Sequence, residues 1–241
     1  MQRGKGVLPE FAPVDKETVH ARVYLELRTA LMTGAFAPGQ SVTIRSLAEA
    51  FGTSAMPVRE ALRRLMAEQA LQILPNRSVI VPLMSRAKLD ELRRVRVVLE
   101  GMAAEQAAAH VTPEEIDKLA RLIDEMHPMA MSSDTKGYLA TNQDFHFTIY
   151  RAARSQVLMP MIESLWLQIG PFLNLLLNDR AIAEMFAVKH HAAALEALRE
   201  GDGRGAREAI AGDISEAADI LLDLVDEDGD FLEADESRAA R

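Results

Sequence analysis

The sequence predicts a mainly α protein in two parts: three helices with a small β-hairpin, then an all-α antiparallel helical bundle. Three observations predict it. Residues 43–69, TIRSLAEAFGTSAMPVREALRRLMAEQ, read as two short amphipathic helices about a tight turn. Residues 71–74 and 79–81 are short β-prone runs on either side of the turn Pro75-Asn76-Arg77-Ser78. From Ser85 onward, every segment repeats its apolar residues at helical spacing.

Taken in order, residues 1–14 contain Gly4, Gly6, Pro9 and Pro13 and are expected to form a flexible arm. A first helix is expected over about 16–32, where Val19, Val23, Leu27 and Leu31 make an i, i+4 stripe that stops at Gly34. Ala37-Pro38-Gly39-Gln40 is a turn. In the helix pair, Leu47, Ala48 and Phe51, then Val58, Ala61, Leu62 and Leu65, bury one face of each helix. Gly52 makes the turn, Ser54 takes the N-cap position and Pro57 opens the second helix. Its other face carries Arg59 and Arg63, one turn apart. An isolated pair of this kind is ordinarily a solvated helix face. Helix, helix, helix, hairpin is the winged helix-turn-helix order, however, in which the second helix of the pair enters a DNA major groove. The hairpin is then the wing, with Arg77 at its tip.

Six bundle helices are expected at about 86–109, 113–131, 135–153, 157–179, 183–200 and 204–227. Thr112 caps and Pro113 opens the second of these, and Gly201-Asp202-Gly203 is a strong break. Pro171 is expected to kink or split the fourth near residue 170. The acidic, aperiodic end of the chain is expected to be disordered. The domains are accordingly an arm (1–14), a winged helix-turn-helix domain (15–84), an all-helical domain (85–228), to which the resemblance given below adds effector binding and dimerisation, and an acidic tail (229–241).

The chain of 241 residues is 49% apolar with 5% aromatics, so Leu, Ala, Ile, Val and Met must fill the core. It has no cysteine, which excludes a disulfide framework and thiolate zinc sites. No apolar run approaches the ~20 residues of a membrane span, and the N-terminus lacks a signal-peptide stretch; a cytoplasmic protein with no membrane partner is expected. The net charge of −9 is unevenly divided. Residues 1–85 hold 10 Lys/Arg against 7 Asp/Glu, and residues 86–241 hold 17 against 29. The excess negative charge thus lies in the bundle, away from the part that would meet phosphate.

The first part closely resembles the GntR family of bacterial regulators. The residues that carry the likeness are Leu47-Ala48, Gly52-Thr53-Ser54-Ala55-Met56-Pro57-Val58-Arg59-Glu60-Ala61-Leu62, Leu65, Pro75-Asn76-Arg77-Ser78 and Val81. The helical half resembles the FadR-type (FCD) effector domain in its six-helix, VanR-like variety. The resemblance implies Arg45, Ser54, Arg59 and Arg77 as DNA contacts, with Arg63 added by its place on the helix face. Two positions depart from the pattern: Ala55 stands where the family has a base-contacting arginine, and Ser78 at the wing glycine. Losing a bidentate Arg–guanine pair removes about 1–3 kcal/mol of discrimination at that base, so the operator should differ or be read less strictly.

Asn142 and His146 are i and i+4 and share one helix face. His191 and Asp213 lie equally far before and after Asp202, so a helical hairpin turning there would set them level. The four can converge if the helix carrying Asn142 packs on that hairpin. Similar domains hold a metal with one Asp and three His in these slots; here the slots contain Asn142, His146, His191 and Asp213. Two imidazoles and a carboxylate still suit a divalent transition metal, zinc first, with nickel, manganese or iron open. A metal-free polar pocket is the alternative. His190 is expected to face solvent, and His20, His110 and His127 have no evident partner. Arg96 corresponds to an arginine that reaches the ligand cavity in similar domains and suits a carboxylate effector; the alternative is an i, i+4 salt bridge to Glu100.

The function expected is a ligand-responsive transcriptional regulator, usually a repressor in this family. It would act as a homodimer on palindromic double-stranded operator DNA, with a small organic acid as effector and no enzymatic activity. The helix that begins near Lys88 is expected to couple the domains. The competing classes are a metal-dependent enzyme acting on a small organic acid and a DNA-binding protein without an effector.

Overall fold

The computed structural model describes residues 19–74, 78–132, 134–176 and 189–226. The arm, the wing tip with Arg77, the segment 177–188 and the acidic tail lie outside the described residues. The described residues form nine helices and one small antiparallel sheet.

Helix α1 (Val19–Met32) buries Val23, Tyr24, Leu27, Leu31 and Met32. Val19, expected in that stripe, is exposed. Helix α2 (Ile44–Phe51) opens on a capping box in which Ser46 N–H donates to Thr43 Oγ1 at 3.0 Å and Thr43 N–H donates to Ser46 Oγ at 3.4 Å. It ends at Gly52, whose φ of 61° is the left-handed conformation that glycine adopts without strain. Helix α3 (Ala55–Ala67) begins two residues earlier than expected. Pro57 is its third residue, where the missing N–H would have had no partner inside the helix anyway. Val58, Ala61, Leu62 and Leu65 are buried against α1.

The hairpin pairs β2 (Gln72–Ile73) with β3 (Val79–Ile80). A strand that the sequence reading missed, β1 (Ser41–Val42), pairs with the other edge of β3, Ser41 opposite Ile80 and Val42 opposite Val79. Two residues are too short for alternation to register, and only pairing reveals the strand.

Helix α4 (Arg86–Ala107), capped by Ser85, lies along α9 (Gly203–Leu224), and a methyl group on Gly101 would lie 3.1 Å from Arg207 Cγ. Helix α5 (Pro113–Ser132) starts on Thr112, as expected, with Glu115 N–H donating to Thr112 Oγ1 at 3.2 Å. It pairs with α6 (Thr135–Ala152), and α8 (Lys189–Glu200) turns at Gly201 into α9, whose cap is Asp202. Helix α7 (Leu158–Leu176) is not split at Pro171. Ile169, Gly170, Pro171, Phe172 and Leu173 are all buried there, and that burial outweighs the ~3 kcal/mol a helical proline costs.

The two parts meet directly. α1 lies on α7, Arg28 pairs with Glu163 at 2.6 Å, and Gly170 admits the end of α1. A methyl group on Gly170 would lie 2.4 Å from the Leu31 carbonyl oxygen and 2.7 Å from Met32 Cα. Gly170→Ala should therefore lower stability by ~1–3 kcal/mol, the usual range for overpacking. Urea unfolding followed through Trp166 checks this, and an unchanged midpoint would contradict the close seam.

Candidate functional site

In the helix pair, Arg45, Ser54, Arg59 and Arg63 are all exposed on α2 and α3. Arg59 has no hydrogen-bond or ion-pair partner among the described residues, as a cation kept for an external anion would be. Arg45 Nε donates to Glu49 Oε1 at 2.9 Å, and Arg63 Nη1 to Glu60 Oε2 at 3.0 Å. Exposed pairs of this kind are worth ~1 kcal/mol or less, so both guanidiniums can turn to phosphate at little cost. Ser54 is the N-cap residue of α3, but its side chain makes no capping bond and is left exposed. Ala55 and Met56 give the front of α3 an apolar edge, Met56 being 62% exposed. Among the described residues no helix is long and apolar enough to cross a membrane.

Inside the bundle, α6, α8 and α9 bring three donors together. His146 Nε2 is 3.3 Å from Asp213 Oδ2, His191 Nε2 is 3.6 Å from Asp213 Oδ1, and the two Nε2 atoms are 3.4 Å apart. The hairpin at Asp202 sets His191 and Asp213 level, and α6 lays His146 across them. Both histidines are 1% exposed and Asp213 is 9% exposed. Burial works against ionising Asp213, but the His146 contact and the charges of the imidazoles hold its carboxyl down at about 2. Asn142 lines the same cavity, one turn before His146.

Three electron-pair donors this close need a cation between them, either protons or a metal. At these separations one point lies roughly 2 Å from all three, the length of Zn–N and Zn–O bonds of about 2.0–2.2 Å. The donor set therefore fits a divalent transition metal.

The cavity measures about 40 Å³ and is walled by Arg96, Tyr138, Asn142 and the three donors, with Leu139, Trp166, Leu173 and Leu176 on the apolar side. A water needs ~10–15 Å³ by this measure, so there is room for an ion with a few waters or for a small acid. Arg96 lines the cavity and also makes the salt bridge to Glu100. Its Nε donates to Glu100 Oε1 at 2.6 Å and its Nη2 to Oε2 at 3.2 Å, while Nη1 has no hydrogen bond among the described residues. Burial opposes the Arg96 charge, but Glu100 more than offsets it and raises its pKa.

The sequence itself matches two known families over these same parts. Residues 20–81 match the bacterial regulatory proteins of the gntR family, and residues 91–216 match the FCD domain. The chain is a GntR-family transcriptional regulator. This regulator is 33% identical to the HTH-type transcriptional regulator McbR of Escherichia coli over 77% of its own length and 85% of McbR. It is 26% identical to the gluconate operon transcriptional repressor of Bacillus licheniformis, over 75% of this chain and 73% of that one. The solved structure of E. coli McbR/YncC matches it with a TM-score of 0.80 at 30% identity, covering 86% of this chain and 99% of that one.

Sequence reasoning missed Tyr138, Tyr150 and Trp166 in the regulator's cavity region and gave Glu100 only as a salt-bridge alternative for Arg96. Glu100 is completely buried and accepts from Arg96, from Tyr150 Oη–H at 2.6 Å and from Trp166 Nε1–H at 2.9 Å. Tyr138 lines the cavity, and burial, aided by the Asp213 charge, pushes its hydroxyl pKa up. Burial, then the Glu100 charge, does the same to Tyr150. A signal was present: Tyr138, Asn142, His146 and Tyr150 form an i, i+4 stripe on α6. His190, expected in solvent, is instead partly buried, with Nε2 2.7 Å from Glu216 Oε2. It shares the α8–α9 interface with His191, so it has little surface left to expose. His110 Nδ1 meets the Gln106 carbonyl at 2.9 Å, which supplies the partner the sequence did not suggest; His20 and His127 are exposed.

Glu100→Ala should cost ~3–5 kcal/mol, because it strands a buried guanidinium without its counter-charge. Chemical denaturation of full-length protein checks this, and a loss below ~1 kcal/mol would show that the carboxylate is dispensable.

Proposed function

We propose that this regulator is a cytoplasmic repressor that binds a palindromic operator as a homodimer and is switched by a small organic acid in the bundle cavity. Residues 15–84 act as the DNA head and 85–228 as the effector and dimerisation unit. The observation that carries the reading is one small cavity lined both by the three-donor cluster and by Arg96. His146, His191 and Asp213 hold a divalent metal, zinc first and nickel, manganese or iron open, with Asn142 able to add a neutral oxygen. The ion, when bound, supplies a Lewis-acidic anchor for an effector carboxylate. Arg96 takes the other end of the same acid through Nη1, and the Tyr138 hydroxyl stays protonated as a neutral polar wall.

The seam between the parts supports a direct route from cavity to DNA head. Trp166, Leu173 and Leu176 of α7 line the cavity, while Glu163 and Gly170 of the same helix carry α1. Leu139 lines the cavity too, and a methyl group on Gly34, just after α1, would lie 3.0 Å from its Cδ1. An acid that fits one setting of α7 better than another shifts the balance between two placements of the head. Val95, Val98 and Met102 form an exposed apolar stripe on α4, which we assign to the second copy of the chain.

On the DNA side, Arg59 reads or clamps the groove, and Arg45, Arg63, Ser54 and Arg77 position the head on phosphate. The apolar edge at Ala55 and Met56 favours thymine methyl groups over guanine at the base it meets.

Protein purified without chelators or a nickel column should carry equimolar divalent metal, and His191→Ala should lose it. Acid binding, read through Trp166 fluorescence, should change operator affinity, and operator DNA should change acid affinity by the same factor. Equal acid affinity with and without operator would remove the switch. Arg59→Ala should weaken operator binding by roughly 10–100-fold in a fluorescence-anisotropy titration at fixed salt. A change of under about twofold would take Arg59 off the reading surface.

A further inference from the structure

We infer that Tyr150 and Glu100 are positioning residues for His146: they hold its ring with hydrogen on Nδ1, so that Nε2 is the atom offered to the cavity. The inference deepens the metal-site reading and rests on it only for its effect on affinity.

The direction of each hydrogen bond follows from what each group is able to give. Glu100 is completely buried, and Arg96 places N–H groups on both of its oxygens. Trp166 Nε1–H adds a third donor to Oε2 at 2.9 Å. Guanidinium and indole can only donate, so Glu100 is engaged throughout as an acceptor. Tyr150 has one hydroxyl hydrogen, and its oxygen stands 2.6 Å from the same Oε2. If that hydrogen pointed elsewhere, two oxygen lone pairs would face each other at 2.6 Å inside a dry core. The hydrogen is therefore on the Glu100 side. What Tyr150 has left is an acceptor lone pair, 3.0 Å from His146 Nδ1. Nδ1 must then be the donor, and Nε2 is the atom facing Asp213 and His191.

The chain places these residues with short-range regularity. Tyr150 follows His146 by one turn of α6, Glu100 follows Arg96 by one turn of α4, and Trp166 comes across from α7. Glu100 is thereby shared. It orients the histidine through Tyr150 and the guanidinium directly, so the proposed metal side and acid side of the cavity are braced by one carboxylate. An outer partner that fixes the ring and its protonated nitrogen typically accounts for 10–100-fold in metal affinity.

The test uses full-length protein and two readouts. Ring-nitrogen NMR on metal-free protein reports whether His146 Nδ1 carries hydrogen, whether or not Nε2 also holds one against Asp213. Zinc competition titration reports affinity. Wild type should show Nδ1–H for His146. Tyr150→Phe, which keeps the buried ring and removes the acceptor, should shift that ring towards Nε2–H and weaken zinc about 10–100-fold. Glu100→Gln, which offers one acceptor oxygen where there were two, should move both readouts in the same direction and serves if the phenylalanine variant is poorly folded. Wild-type His146 in the Nε2–H form, or a tautomer indifferent to both substitutions, would overturn the inference. Wild type that shows the Nδ1–H form and its response to Tyr150→Phe but binds no zinc would uphold the positioning role and sink the metal reading instead.

Discussion

The bundle is organised around a carboxylate that has no access to water. Glu100 accepts hydrogen bonds from Arg96 on its own helix, from Tyr150 on α6 and from Trp166 on α7. A buried charge is tolerable only when its lone pairs are met, and here they are met from three helices at once. That requirement fixes how α4, α6 and α7 are rotated about their axes. Apolar packing alone would leave several rotations of nearly equal energy; donors that must reach one carboxylate do not. The cavity lies beside this network, with Arg96 and Trp166 in its wall and the Arg96 guanidinium carbon 5.3 Å from the Trp166 ring centre.

The second constraint is the contact between α1 and α7. Gly170 lets the end of α1 approach α7, which also lines the cavity, and the half-buried Arg28–Glu163 pair ties the two helices further along. The sequence pointed to α4 as the connection between the parts, since it follows the wing directly. α4 does carry Arg96, and Arg86 Nη1 at its start reaches the Leu222 and Val225 carbonyls at the far end of α9. The first part nonetheless has its own seat on α7, so the two parts are joined by packing as well as by the chain.

The helix pair with its left-handed Gly52, the Thr112 cap and the turn at Asp202 were all legible in the sequence, because each is a local event governed by a few neighbouring residues. The convergence of His146, His191 and Asp213 was legible by a longer argument, since antiparallel helices about a known turn bring equidistant positions to one level. Less legible was what depends on a third element. Two-residue β1 has no pattern of its own and exists because β3 is beside it. Pro171 is a local helix breaker overruled by the burial of its neighbours. Glu100 looked like half of a surface i, i+4 pair with Arg96, and the pair is indeed made. Its burial and its two further donors come from helices distant in sequence.

By itself the sequence determined the order of the helices, the division of charge between the two parts, the family, and Arg96, Asn142, His146, His191 and Asp213 of the cavity wall. Helical period, caps and turns act over a few residues, so one chain is enough to read them. The tertiary structure alone decided that Arg96 lines the cavity with its guanidinium held by Glu100, that Tyr150 stands behind His146, and that α1 is seated on α7. Each of these depends on which donor or surface meets a group from across the core, and spacing along the chain does not encode that.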